Sequence, residues 1–543
     1  MKNIAMTCGL VAISSAVLVG CNSDENSAQT PPPVPEQKAR WVQGDMHVHS
    51  TASDGHQLVQ SILNIAYNKY DLDFIASTEH SGFKRYEVNE GLWRVRASGE
   101  RIFNPEPSDE PGDELHSHDY AKDVYADDKV YTPRAQDNNR LYANLVDYRH
   151  ENLTEKQFLL TGMEYTLPVI KEHTTMVLLD DGDVDEINEF HYLYGEGERW
   201  EGDERKQTWD DLLEAMTFLQ QNYSERAFLS FNHPSRKHEV MIEYMRELHN
   251  AGPDIIIGME GAPGHQRNPE ARGSYEMEHP IFLKEYAEDY QGPAYHGRTY
   301  GGFDYMTARM GGVWDALLSE GRRISIFAHS DFHSMAKDFW PGEYSKSHIY
   351  LEQETQKGLL DAIKGGQSFV THGDLISELE FIAQGENDVS NSTRMGGDLV
   401  VPAGENVTVS ISMNLPEANN NGDKPDLKFV DVIAGYVTGK IDPTDPEFNK
   451  PFADDVSVIQ SFEKGTQGWV EKDGKLTLSF TLEQVEQDMY IRLRGSNNEK
   501  GTPGYVDLEG NPVIDLEKTE SDPNVVAWKD LWFYSNPIFI TAN

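Results

Sequence analysis

The apolar positions fall into two periodicities along the chain. Before about residue 373, short apolar runs alternate with amphipathic stretches. Phe74-Ile75-Ala76, Phe158-Leu159-Leu160, Ala227-Phe228-Leu229 and Ile324-Ser325-Ile326-Phe327 read as strands covered on both faces. Between them, Leu58, Ile62, Ile65 and Ala66 fall on one helical face, as do Leu212, Met216 and Leu219. Strand and helix in alternation predict an α/β fold with a parallel sheet, a barrel ahead of a doubly wound sheet. After Gly373 the period becomes two. Val407, Val409, Ile411 and Met413 alternate with Thr408, Ser410 and Ser412, and Leu476, Leu478, Phe480 and then Met489, Ile491, Leu493 repeat the pattern. Set between Asn, Gly, Asp and Pro clusters, these runs predict a small antiparallel β-sandwich reaching Ile538-Phe539-Ile540.

The first residues follow neither pattern. Lys2 precedes an apolar run, Leu10 to Val19, that is too short to span a bilayer but suits a secretion signal. It ends Leu18-Val19-Gly20-Cys21, which resembles a bacterial lipobox and implies cleavage before Cys21 and lipid on its sulfur. A polar and then Pro-rich stretch through Pro33 predicts a flexible tether. The expected organisation is a lipoprotein signal at 1–20, a tether at 21–40, an α/β unit at 41–375 with inserts at about 83–150 and 260–310, and the sandwich at 376–543. The expected location is the bacterial cell envelope, at the outer membrane or the periplasmic face, with the lipid as the only membrane contact. Cys8 is the other of the two cysteines, so the mature body is expected to contain no disulfide.

Charge narrows the partners. With 91 acidic against 47 basic side chains the formal charge is −44, a field that repels nucleic-acid backbones. A small anionic substrate must then meet a local positive source, such as metal ions. All nineteen histidines lie between His47 and His372, so histidine chemistry belongs to the α/β part.

The segment His47-Val48-His49 through Asp54-Gly55 carries the most chemistry. On a strand, positions i and i+2 share a face, so His47 and His49 can offer two imidazoles to one cation. Asp54 follows in a turn. By itself an H-x-H string also reads as two satisfied surface histidines. The same residue types recur just past other predicted strands, however: His80, Glu164, His233, and Asp331 with His333. The carboxyl ends of parallel strands converge on one face, where such ligands can meet.

Taken with Thr78-Glu79-His80, Gly162-Met163-Glu164 followed by His173, Asn232-His233-Pro234 and His329-Ser330-Asp331-Phe332-His333, the chain resembles the polymerase and histidinol phosphatase (PHP) metallohydrolases over roughly residues 41–375. Trp314-Asp315-Ala316-Leu317-Leu318, Asp361-Ala362-Ile363-Lys364-Gly365-Gly366, Phe369-Val370-Thr371 and the terminal Ser535-Asn536-Pro537-Ile538 are similar to the branch that includes carbaryl hydrolase. The resemblance implies a distorted (β/α)7 TIM-like barrel with two or three divalent ions, zinc, manganese or iron. One would take His47, His49, Glu164 and Asp331. A second would take Asp54, His80 and His333, and a third His173 and His233 with Glu164 bridging. The implied activity is phosphoester hydrolysis by a metal-bridging hydroxide, with Glu164, Asp331 and His333 at the reacting centre. Carbamate, ester or amide hydrolysis is the alternative, and a lipoprotein that binds metal or glycan without turnover is a further one. Glu79 stands where the family more often has Asp, and a longer carboxylate can alter the orientation of His80.

Other residues carry weaker signals. Arg236, three residues after His233, is a candidate anion anchor, although an Arg after a Pro-Ser turn also reads as a solvated group. His265 follows Ile255-Ile256-Ile257 in a Gly/Pro-rich loop, again at a strand end, and is a candidate catalytic group. His116 and His118 lie in a long polar insert that reads as a lid or a solvated elaboration. Asp181, Asp183 and Asp185 imitate the start of a calcium loop but lack its sixth-position Gly.

Overall fold

The apolar runs become β1 (Arg40–Asp45), β2 (Phe74–Ser77), β3 (Phe158–Thr166), β4 (His173–Leu178), β5 (Ala227–Phe231), β6 (Ile256–Ala262) and β7 (Ser325–Ala328). The computed structural model describes residues 39–80, 133–170, 172–178, 208–236, 240–268, 299–515 and 523–543, with short pieces between them. Cys21, the expected signal, nearly all of the tether, His116, His118 and the Asp181–Asp185 segment lie outside the described residues. No described helix is long and apolar enough to cross a membrane.

Parallel ladders join β1 to β2, β2 to β3, β5 to β6 and β6 to β7. β4 departs from the expected parallel sheet, because it runs antiparallel to both β3 and β5. The reason is chain length. Only residues 167–172 separate β3 from β4, whereas a parallel return needs a crossover of about a dozen residues. On the other side, β1 pairs antiparallel with β8 (Ser345–Leu351), and β8 with β9 (Ser368–His372). Among the described residues no ladder joins β7 to β8. Ala328 instead donates its N–H to Ser347 Oγ at 2.9 Å, and that hydroxyl donates to Ala328 O at 3.1 Å. The ladders therefore define a mixed sheet with a parallel run, and do not define the closed barrel expected from sequence.

The helices bury the face that the periodicity marks in α2 and part of it in α1, where Ile65 is half-buried and Leu58 precedes the helix. α1 (Val59–Asn68) buries Val59, Ile62, Leu63, Ala66 and Tyr67, and α2 (Trp209–Tyr223) buries Leu212, Ala215, Met216, Leu219 and Tyr223. α2 starts at Thr208, whose side chain accepts from Asp211 N while the Asp211 carboxylate accepts from Thr208 N. This reciprocal cap satisfies two N–H groups that the helix itself leaves open.

Past His372 the ladders are antiparallel except one, which joins Asp398–Val401 in parallel to the terminal strand Ile538–Ala542. β10 (Glu378–Gly385), β11 (Glu405–Asn414) and β12 (Lys475–Val485) lie side by side in a separate five-stranded sheet. Val407, Val409, Ile411 and Met413 point inward from β11, each at most 1% exposed. They pack on Val430, Val432, Ile491, Leu493 and Phe533, which belong to β13 (Phe429–Tyr436), β14 (Met489–Ser496) and β15 (Trp532–Ser535). This second layer continues the first sheet, because β15 pairs with β9.

Candidate metal centre

The chemistry-bearing residues collect where strands end. His47 and His49 follow β1, His80 follows β2, His233 follows β5, and Asp331 and His333 follow β7, while Glu164 lies in β3 and His173 opens β4. The β3–β4 hairpin sets Glu164 opposite Thr175 and Thr166 opposite His173. Glu164 and His173 are thus diagonal neighbours on one face, with Oε1 and Nδ1 at 2.7 Å. Gly162 makes that hairpin possible, since a Cβ there would meet the Met176 carbonyl oxygen at 2.1 Å.

Four side chains converge at the centre. His47 Nε2 lies 2.9 Å from His49 Nε2, 3.1 Å from Glu164 Oε1 and 3.2 Å from Asp331 Oδ1. His49 Nε2 lies 3.3 Å from Glu164 Oε2 and 3.3 Å from Asp331 Oδ1. A tetrahedron with metal–ligand bonds of about 2.0–2.1 Å has edges of about 3.3–3.4 Å, so these separations suit four ligands around one cation.

Two further groups flank this one. Asp54 Oδ1 lies 3.3 Å from His333 Nε2 and 3.5 Å from His80 Nε2, with His49 Nδ1 at 4.0 Å. On the other side, His233 has Glu164 Oε1 at 3.5 Å from Nε2 and Glu172 Oε2 at 3.4 Å from Nδ1, and Glu172, His173 and His233 offer three donors to one point. Glu164 joins the groups, since its Oε2 is also 2.7 Å from His80 Nδ1. The structure thus brings all nine sequence-proposed ligands together, and adds Glu172 to the third group.

The donors fit divalent cations. They are imidazoles and carboxylates without thiolate, the set that zinc, manganese and ferrous iron share. Neither ring nitrogen of His233 makes a hydrogen bond, although both are buried between carboxylates. Burial opposes charge on His80, yet Glu164 and Asp54 drive its pKa up to about 10. Burial likewise opposes ionisation of Asp331 and Glu164, yet the surrounding imidazoles hold both well below the usual carboxylate range. The site is a cluster of buried carboxylates that positive charge must balance.

A second layer of residues, largely absent from the sequence reading, fixes the ligands. Glu260 accepts from His47 Nδ1 at 2.6 Å, from His329 Nδ1 at 3.0 Å and from His233 N at 2.7 Å. That contact sets the His47 tautomer and leaves Nε2 free for a cation. Burial would raise Glu260, but His47 and His329 bring it down to about 2. One signal could have found it: Gly162-Met163-Glu164 recurs as Gly258-Met259-Glu260 at the end of another strand. Asp338 accepts from His333 N at 2.6 Å and Ser334 N at 2.8 Å, and also holds His265 Nδ1. The Glu79 carboxylate accepts from Ser50 N, Ser50 Oγ and Ser53 Oγ. The longer side chain ties down the turn between His49 and Asp54.

His265 and Arg236 both reach the site. His265 Nε2 is 2.9 Å from Asp331 Oδ2; burial opposes its charge, but Asp338 and Asp331 bring its pKa up to about 10. Arg236 Nη2 lies 3.3 Å from Glu172 Oε2. His233, His265 and Asp331 all take positive φ, at 29°, 57° and 45°. Non-glycine residues rarely adopt this region, and its concentration here marks backbone strain held at a functional site. Asp54, His56, His80, Glu164, His173, Arg236, His265, Asp331, His333, Ser334 and Lys337 line a cavity of about 420 Å³. His56 and Lys337 are further residues that the sequence reading did not name.

Neither a family model nor a curated protein matches this chain. Among solved structures, it is similar to a two-domain protein from Bacteroides vulgatus containing a predicted PHP-like metal-dependent phosphoesterase, with 12% identity and a TM-score of 0.34. That match covers 88% of this chain and 95% of the other.

Proposed function

We propose that this chain is a metal-dependent phosphoesterase acting on a small anionic substrate. The observation that carries the reading is the cavity lining: every lining residue is polar or charged, and ligand carboxylates and imidazoles lie beside Arg236. An aryl carbamate calls for an apolar slot, whereas phosphoryl oxygens call for cations and donors. Divalent cations held by the three groups would acidify a shared water and offset charge developing on the phosphoryl oxygens. Glu164 fixes the spacing of the groups, since its two oxygens face imidazoles of all three. Arg236, leaning on Glu172, is placed to hold a non-bridging oxygen. His265, whose Nε2 lies 2.9 Å from Asp331 Oδ2, would serve as the acid for the departing oxygen.

The test is hydrolysis by the full chain loaded with manganese or zinc, across aryl phosphomonoesters, phosphodiesters, carboxylic esters and carbamates. The expected result is phosphoester turnover that chelation abolishes and added metal restores. Turnover confined to carbamates or carboxylic esters would overturn the reading in favour of that chemistry.

We also propose that lipid on Cys21 holds the protein at the cell envelope, supported by the Lys2 and Leu10–Val19 pattern ahead of it. Expressed in a bacterium, the chain is expected in the membrane fraction, and Cys21→Ser is expected to release it. Equal partitioning of both forms rejects the anchor. The −44 formal charge supports a small substrate over nucleic acid.

A further inference from the structure

Two basic side chains, Arg236 and Lys337, line the cavity; Arg236 contacts the third ligand group, and Lys337 follows His333 of the second by four residues. From Arg236 the contacts run to Glu172 at 3.3 Å, to His233 at 3.4 Å and on to Glu164 at 3.5 Å. They continue from Glu164 to His80 at 2.7 Å, to Asp54 at 3.5 Å and to His333 at 3.3 Å. Past His333 the chain makes a tight turn in which Lys337 N and Asp338 N both donate to Ser334 O, at 3.1 and 3.0 Å. Lys337 O accepts from Arg267 N at 3.1 Å, and the Asp338 carboxylate fastens His333 N and Ser334 N. The turn is fixed on both sides.

Lys337 is exposed, lines the cavity and, among the described residues, has no carboxylate within 4.0 Å. In a chain with 91 acidic and 47 basic side chains, a lysine beside a carboxylate-rich site that pairs with none of them is available to a ligand. Arg236 differs, because it is packed against the metal-binding Glu172 and belongs with the reacting phosphoryl group. Lys337 lines the same cavity as Arg236 without leaning on a ligand residue, so it is open to a different part of a bound substrate.

Resting on the phosphoesterase reading, we propose that Lys337 is a specificity-determining residue that binds a second anionic group carried by the leaving portion of the substrate. An ammonium suits this position, since it offers three donors without demanding one planar geometry. The preferred substrate class is then a phosphoester whose alcohol or phenol bears a carboxylate or a further phosphate.

The experiment compares phenyl phosphate with carboxyphenyl phosphate on the metal-loaded full chain, for wild type, Lys337→Met and Lys337→Arg. Wild type is expected to favour the carboxylated ester. Lys337→Met is expected to lower the ratio of the two kcat/KM values about tenfold, equivalent to about 1.4 kcal/mol, mainly through KM, and with metal content unchanged. Lys337→Arg is expected to recover most of the ratio, and added salt to erode it in wild type. A ratio that Lys337→Met leaves unmoved would overturn the proposal while leaving the phosphoesterase reading intact. Absence of turnover of either ester by wild type would count against that reading instead. Calorimetric binding of the matching phosphonates, with and without the carboxylate, then decides the role of Lys337 without turnover: equal affinities in wild type and Lys337→Met reject it.

Discussion

Glu164→Gln is expected to lower kcat/KM for an aryl phosphoester by at least about 10³-fold and to reduce bound metal, with the fold retained. Glu164 is 1% exposed, and its two oxygens contact His47, His49, His80, His173 and His233. The amide keeps the shape but removes the charge and one acceptor oxygen, and its NH₂ faces imidazole nitrogens that must stay unprotonated to bind a cation. Loss of cations from the shared position forfeits several kcal/mol of charge stabilisation at the reacting centre, which is about 10³ in rate. Metal analysis, circular dichroism and turnover on the same preparation check it. Full activity at full metal content would remove Glu164 from the centre and break the bridging arrangement.

How much of this site is legible in the sequence follows from what local patterns encode. His47 and His49 share a face because strand geometry makes them do so, and His80, Glu164, His233, Asp331 and His333 announce themselves by following apolar runs, whereas His173 enters only through the family resemblance. Glu260 and Asp338 do not, because their roles depend on which strand or turn folds against which. Glu260 matters only once β6 brings it within 2.6 Å of His47, 213 residues away in sequence. Asp338 matters through hydrogen bonds inside a non-periodic turn. The β4 reversal was encoded in the short 167–172 connection, but the alternation of strands and helices outweighed it. Period-two patterning identified the C-terminal strands, whereas their continuity with the first sheet rests on the pairing of Val370 with Tyr534. No local period reports such a distant contact.

That continuity places a buried ion pair where loss of one partner should be costly. Asp315→Ala is expected to destabilise the protein by about 3–5 kcal/mol. Asp315 lies in a helix, Val313–Ser319, of the α/β part, and Arg492 lies on β14. Asp315 Oδ1 accepts from Arg492 Nε and from Tyr490 Oη, both at 2.9 Å, and Oδ2 accepts from Arg492 Nη2 at 2.8 Å and Gly311 N at 2.7 Å. The side chains are 0% and 1% exposed. Alanine leaves a buried guanidinium over the Trp314 ring without its carboxylate, so most of the cost comes from the stranded charge. Pairing Asp315→Ala with Arg492→Met removes that charge, and the double variant should regain much of the loss. Denaturant unfolding of the two single variants and the double variant measures the coupling. A loss below about 1 kcal/mol for Asp315→Ala, or a double variant no more stable than Asp315→Ala, would mean that packing alone, rather than this charge pair, ties the helix to the sheet.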